Sequence, residues 1–258
     1  MMATGETQNS IATRSILGVN VAASSYDQVV QNSLLWAQQG QSRAQIFANV
    51  HVVMEAIDHP AYLEALNRAD MVNPDGMPLV WALRALGLRR AQRVCGPDSM
   101  VAILAAADKT GTPVGFYGSS QAVLDALLAA LRLQYPHLNV VFVESPPFRA
   151  LSPQEDAAAV ERMNSSGVRL LCVGLGCPKQ ETWIMEHIGR VHAVMFAIGA
   201  GFDFVAGSKL RAPRWMQRSG LEWVFRFVTD PRRLAIRYLK HNPRFVVRFL
   251  RQLLAGSA

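Results

Sequence analysis

Arg169-Leu170-Leu171-Cys172-Val173-Gly174-Leu175-Gly176-Cys177-Pro178-Lys179-Gln180-Glu181 is the stretch whose reading decides the fold. A short apolar run ends at two glycines, and Pro, Lys, Gln and Glu follow. The pattern predicts a strand over 169–173, a tight exit and a helix over 180–188. The same unit recurs on either side. Val114–Tyr117 leads through Gly118-Ser119 to a helix over 121–134. Val140–Val143 leads to Ser152-Pro153-Gln154-Glu155, a capping box with Pro at the first helical position. Ala193–Ile198 ends at Gly199-Ala200-Gly201. This alternation predicts an α/β fold, a parallel sheet with helices on its faces. Ligands of such sheets bind beyond the carboxyl ends of the strands, where the glycine-rich segments fall.

Upstream the pattern is less regular. Ile16–Val21 reads as a strand, 26–39 as a helix ended by Gly40, and Gln45–Val50 as a second strand. Helices are expected at 52–57, 60–67 and 78–86. A short strand at Met71-Val72 runs into Asn73-Pro74-Asp75-Gly76. Asp98 is the expected N-cap of a helix over 99–109, closed by Gly111.

The 258 residues, 50% of them hydrophobic, suffice for one large domain or two small ones. Charge is unevenly spread. From Val205 onward there are twelve Lys and Arg against two acids, while the preceding residues hold fourteen against seventeen. The net charge of +7 is therefore a property of the tail, and a basic tail on a near-neutral body points to an anionic partner. Three cysteines without CxxC spacing fit a reducing compartment. The histidines and cysteines show no zinc-ligand spacing along the chain, so no metal or other cofactor is expected. Residues 1–15 are polar, lack an apolar signal-peptide core and are expected to be disordered. No run is long and apolar enough to span a bilayer. The expectation is a cytoplasmic protein, soluble or peripheral.

A body over 16–206 and an appendage over 207–258 are separated by composition. In the appendage Trp215, Trp223, Phe225 and Phe227 are interleaved with Arg211, Arg214, Arg218 and Arg226. Asp230-Pro231 and Asn242-Pro243 each signal a helix start, predicting two helices. In the second, Phe245, Val246, Phe249, Leu250 and Leu253 share one face, and Arg244, Arg248 and Arg251 another. This is the pattern of an interfacial amphipathic helix, and it suits lipid better than a nucleic-acid groove.

Four segments carry candidate chemistry. Asn73-Pro74-Asp75-Gly76 has the composition of a type I turn; it also offers a strand-end carboxylate suited to act as general base. Arg93-Val94-Cys95-Gly96-Pro97-Asp98 reads either as an N-cap with a surface arginine or as a cation for a diphosphate at a helix start. Gly174–Glu181 is either a capped turn or an anion or sugar site. It is not a dinucleotide fingerprint, because GxGxxG needs glycine where Lys179 stands. Asp203 follows Gly199-Ala200-Gly201, and no DxD pair occurs to hold a metal on a sugar diphosphate, which leaves charge neutralisation to arginines and helix ends.

Taken in order, Asn49, Asp70–Gly76, Arg93–Asp98, Gly174–Glu181, Phe202-Asp203-Phe204, Arg211-Ala212-Pro213-Arg214-Trp215, Gly220-Leu221-Glu222-Trp223, Pro231-Arg232-Arg233 and Arg237-Tyr238 resemble the WecG/TagA/CpsF glycosyltransferase family. The resemblance covers Ile16–Tyr238. It implies a Rossmann-like, metal-independent transferase that moves a sugar from a UDP donor to a polyprenyl-diphosphate-linked sugar at the inner face of the bacterial membrane. It implies Asp75 as general base and Arg93 as a catalytic cation. Substrate contacts are implied from Asn49, Asn73, Gly76, Asp98, Gly174, Gly176, Pro178, Lys179, Gln180, Glu181 and Asp203, with Arg211, Arg214 and Arg218 supplied by the appendage. Phe47 stands where many members carry Thr, so the donor is left open between N-acetylmannosamine, glucose and a uronic acid, and a non-catalytic sugar-nucleotide or lipid-binding protein on the same fold is the rival reading. A homo-oligomer is also left open.

Overall fold

The computed structural model describes residues 11–213, 215–216, 219–229 and 231–256. The chain opens with a hairpin, β1 (Thr13–Ile16) and β2 (Val19–Ala22), followed by α1 (Tyr26–Gln38), β3 (Arg43–Ala48), α2 (Val50–Asp58), α3 (Pro60–Asn67) and β4 (Met71–Pro74). After α4 (Met77–Ala85) and α5 (Gly96–Thr110), units alternate: β5 (Val114–Gly118), α6 (Gln121–Gln134), β6 (Val140–Glu144), α7 (Pro153–Ser165), β7 (Leu170–Gly174), α8 (Lys179–His187) and β8 (Val194–Ala197). Helices α9 (Gly201–Val205), α10 (Glu222–Thr229) and α11 (Pro231–Ala255) follow among the described residues. Strands β3–β8 form one sheet in the order β4-β3-β8-β7-β5-β6, with every neighbouring pair parallel. The fold is the expected Rossmann-like α/β sheet flanked by helices, with a C-terminal helix.

Strands β5, β7 and β8 are apolar along their length because helices cover both faces of the sheet. One core gathers Ile46, Val53, Leu79, Leu171 and Met195, and the other gathers Ile103, Phe116, Leu127, Phe196 and Phe202. Phe47 lies in the second and is 4% exposed.

Glycine allows the strand exits to approach one another. A Cβ on Gly118 would lie 2.6 Å from the backbone carbon of Gly174, and its φ is +116°. A Cβ on Gly174 would lie 2.7 Å from the Phe202 ring. The carboxyl ends of β5 and β7 and helix α9 therefore pack at a distance that side chains would forbid.

Three expectations are corrected. The strand foreseen over 16–21 is a hairpin, and order begins before residue 16. Leu17 and Gly18 both have positive φ, a two-residue turn that matches hairpin twist, and a leucine at φ 52° gives no turn signal. Asp98 is not the N-cap of α5: the helix starts at Gly96 after Cys95, which places Asp98 in the first turn. Asn242-Pro243 does not begin a second helix. Helix α11 runs through Pro243 because tertiary contacts hold it on both sides.

Those contacts also divide the face that was assigned to lipid. Phe245 and Phe249 are buried in the body's core, and Leu253 packs against it. Arg244 donates to both carboxylate oxygens of Asp58 on α2, at 2.9 and 2.6 Å. Gln252 donates to the Ser15 carbonyl and accepts from the Leu17 N–H. Leu239, Val246, Val247, Leu250 and Leu254 remain exposed. On a helical wheel they form a separate sector, flanked by Lys240, Arg244, Arg248 and Arg251.

Replacing Gly118 with Ala is expected to destabilise the protein by roughly 3 kcal/mol, the range of enforced backbone strain and overpacking. Gly111→Ala is expected to cost only about 1 kcal/mol, because φ is +66° there but no atom lies within 4 Å of the new methyl. Urea unfolding measures both; equal losses would refute the close-approach argument.

Candidate active site

Strand β4 carries Asp75 to the sheet's carboxyl end. The Asp75 N–H donates to the Ala48 carbonyl at the end of β3, keeping the two exits level. Asn49 then caps α2, its side chain accepting from the N–H groups of His51 and Val52. A Cβ on Gly76 would meet Asn49 at 3.5 Å, so Asn49, Asp75 and Gly76 share one corner.

The segment after α4 returns alongside β4, where the Val94 N–H donates to the Pro74 carbonyl. This places Arg93 over Asp75. Its Nε donates to the Asp75 carbonyl at 2.8 Å, and Nη2 lies 3.4 Å from Asp75 Oδ1 and 2.7 Å from Glu222 Oε2. The three side chains are 15%, 18% and 11% exposed. Burial alone would lower the Arg93 pKa; the charges of Asp75 and Glu222 reverse that and raise it. A cation held this way stays charged and fixes the carboxylate beside it.

A second pair adjoins the first. Arg211 Nη2 is 2.5 Å from Asp98 Oδ1. The Cys95 thiol donates to Asp98 Oδ2 at 3.0 Å, and the Cys95 N–H donates to the Tyr26 hydroxyl. Burial, followed by the charge of Asp75, pushes the Cys95 thiol up to about 12, so it stays protonated and is no nucleophile at neutral pH. For Asp98, burial acts upward, but hydrogen bonds from Cys95 and Arg211 outweigh it and the pKa is lowered. The first turn of α5 thus already holds a carboxylate, which complements the helix dipole. A diphosphate at this helix start, one of the two readings of Arg93–Asp98, would meet Asp98 there, and Arg93 and Arg211 beside it are already paired with acids.

The rim continues along the sheet. Gly96 approaches the Ile198 carbonyl, and a Cβ on it would lie 3.3 Å away. Gly199 approaches Gln180 in the same manner, at 3.6 Å. Gln180 accepts from the Gly176 N–H and donates to Glu181. Gln180 and Glu181 are 5% and 1% exposed and brace the loop from within, while Gly176, Pro178 and Lys179 face outward and Gly174 sits at the strand exit. The Cys177–Pro178 peptide is cis.

Two of the expected contacts, Asn73 and Asp203, have partners within the chain. Asn73 is fully buried, accepting from Ser24 Oγ at 2.7 Å and donating to the Ile46 carbonyl, so its amide supports the strand end. Asp203 pairs with Lys209 at 3.1 Å. Arg214 and Arg218 lie outside the described residues. Glu222, Cys95 and Tyr26 join the site although their residue types alone carry no catalytic pattern. Glu222 had a signal, being one of two acids in the strongly basic tail.

The chain matches the model of the glycosyl transferase WecG/TagA/CpsF family over residues 14–258. It is similar to an N-acetylglucosaminyldiphosphoundecaprenol N-acetyl-beta-D-mannosaminyltransferase of Staphylococcus aureus strain NCTC 8325 / PS 47, 32% identical over 246 residues that cover 94% of each chain. The protein of that name from strain MRSA252 is equally similar over the same share.

Arg211→Gln is expected to raise the Asp98 pKa. A lowered carboxylate contributes stability that is present above its unfolded pKa of about 3.9 and is lost as pH falls through the folded value; the substitution moves that loss to higher pH. Carboxyl-carbon NMR titration measures it, and an unmoved Asp98 would show that the pair is not coupled. Its family match covers nearly the whole chain, and the protein belongs to the WecG/TagA/CpsF glycosyltransferase family.

Proposed function

We propose that this glycosyltransferase moves an N-acetylmannosamine-type sugar from a UDP donor to a sugar linked to a polyprenyl diphosphate, with inversion at the anomeric carbon. The observation that carries the reading is Asp75, a carboxylate at the carboxyl end of a parallel strand with a buried arginine fixed beside it. The name of the staphylococcal relatives supports the choice of sugar and acceptor.

In the proposed step the acceptor hydroxyl gives its proton to the Asp75 carboxylate as its oxygen forms a bond to the anomeric carbon. The bond from that carbon to the diphosphate oxygen breaks, and UDP departs with the electron pair. No step uses a metal. Arg93 acts as a positioning cation that holds Asp75 in orientation through its carbonyl and carboxylate contacts. Lys179, with Arg214 and Arg218 of the appendage, is proposed to meet the leaving diphosphate. A positioned base contributes ~10²–10⁴-fold to rate.

We further propose that the enzyme works as a peripheral protein on the inner face of the bacterial membrane. None of its helices, among the described residues, is long and apolar enough to cross a membrane. The exposed apolar sector of α11 and its basic flank supply apolar burial and charge attraction together.

Asp75→Asn is expected to lower turnover at saturating donor and acceptor by about a hundredfold or more. Near wild-type turnover would exclude Asp75 as the base. Leu250→Glu combined with Leu254→Glu, both at exposed positions, is expected to abolish co-sedimentation with anionic vesicles and leave the thermal transition unchanged. Undiminished co-sedimentation would exclude α11 as the docking element.

A further inference from the structure

We propose that His51, Glu55 and His241 form a binding site for a transition-metal dication such as Zn2+, which fastens helix α11 to the body. His51 and Glu55 lie one turn apart on α2 and therefore share a face. His241 comes from α11, far along the chain, and packs against them. One ligand atom from each of the three residues lies within 4.8 Å of the others.

The spacing suits a small ion. His51 Nδ1 is 3.6 Å from Glu55 Oε1, and His241 Nε2 is 3.8 Å from the same oxygen. Zinc binds nitrogen and oxygen at ~2.0–2.2 Å in tetrahedral geometry, which sets ligand atoms roughly 3.4 Å apart. Small side-chain rotations would close the group onto an ion. The two imidazoles are 5.1 Å apart and inclined at 61°, so they converge rather than stack.

The surroundings fit as well. The side chains of His241, His51 and Glu55 are 5%, 16% and 17% exposed. His241 Nδ1 is buried without a hydrogen-bond partner, and the Nε2 contact with Glu55 is beyond hydrogen-bond length. The positive charge of Arg244 is met by Asp58. His59 lies 3.6 Å from the other Glu55 oxygen and can support the carboxylate from outside. Two imidazoles and one carboxylate are a donor set that zinc accepts, with water completing the shell.

The site is structural and takes no part in the proposed sugar transfer. Its ligands join the C-terminal helix to α2, whose N-cap, Asn49, borders the Asp75 corner. Metal binding would therefore hold α11, with its exposed apolar sector, in a fixed place against the active-site end of the sheet.

The test uses the full chain, stripped with a chelator, dialysed and titrated with Zn2+ and with Co2+. One saturable equivalent is expected, with visible Co2+ absorption bands and a Zn2+-dependent rise in melting temperature. Glu55→Gln and His241→Asn are each expected to weaken binding at least tenfold and to remove the rise. Absence of saturable uptake by the wild type, or wild-type affinity in both variants, overturns the proposal. Where a variant fails to fold by circular dichroism, the wild-type titration and its Co2+ spectrum decide.

Discussion

The buried guanidinium of Arg93 is the constraint on which the site depends. It cannot sit 15% exposed without countercharge, and the countercharge comes from two directions. Asp75 is supplied by the end of β4, and Glu222 by the start of α10. Removing one carboxylate from a buried ion cluster leaves a charge that the surroundings cannot solvate. The appendage and the body are therefore joined electrostatically at the position where the proposed base stands. Arg211 repeats the logic on Asp98, again linking a residue after β8 to one in the first turn of α5. The tail contributes to the shape of the active-site corner as well as to the net charge.

Most of the sheet was legible because its signals are local. Gly118, Gly174 and Gly199 mark strand exits, and Ser152 and Glu155 form the capping box that their types foretell. The hairpin was hidden by Leu17, which adopts a backbone conformation that the hydrophobic pattern cannot report. Helix α11 was hidden in a different way. Periodicity shows that Phe245 and Phe249 want cover but does not say which surface provides it. The body does, and the apolar positions that remain exposed lie one sector further round the helix.

The site was partly legible for a similar reason. Motif order located Asp75, Arg93 and the Gly174–Glu181 loop at the correct end of the sheet. It does not distinguish inward from outward side chains; Asn73, Gln180 and Glu181 are buried and hydrogen-bonded within the body. Nor could it see pairs made across long separations. Arg93 with Glu222 and His51 with His241 become neighbours only when the tail folds back.

The fastening of α11 has a mechanical consequence. Phe249, Arg244 and Gln252 attach the helix to the core, to α2 and to the turn of the first hairpin. A helix held at three such points has no freedom to roll. Any surface that receives Leu250 and Leu254 must therefore receive the whole molecule at one fixed tilt. Such an attachment acts as a keel rather than a tether: it sets the angle at which the sheet's carboxyl end meets the plane, and with it the height above that plane at which chemistry can occur.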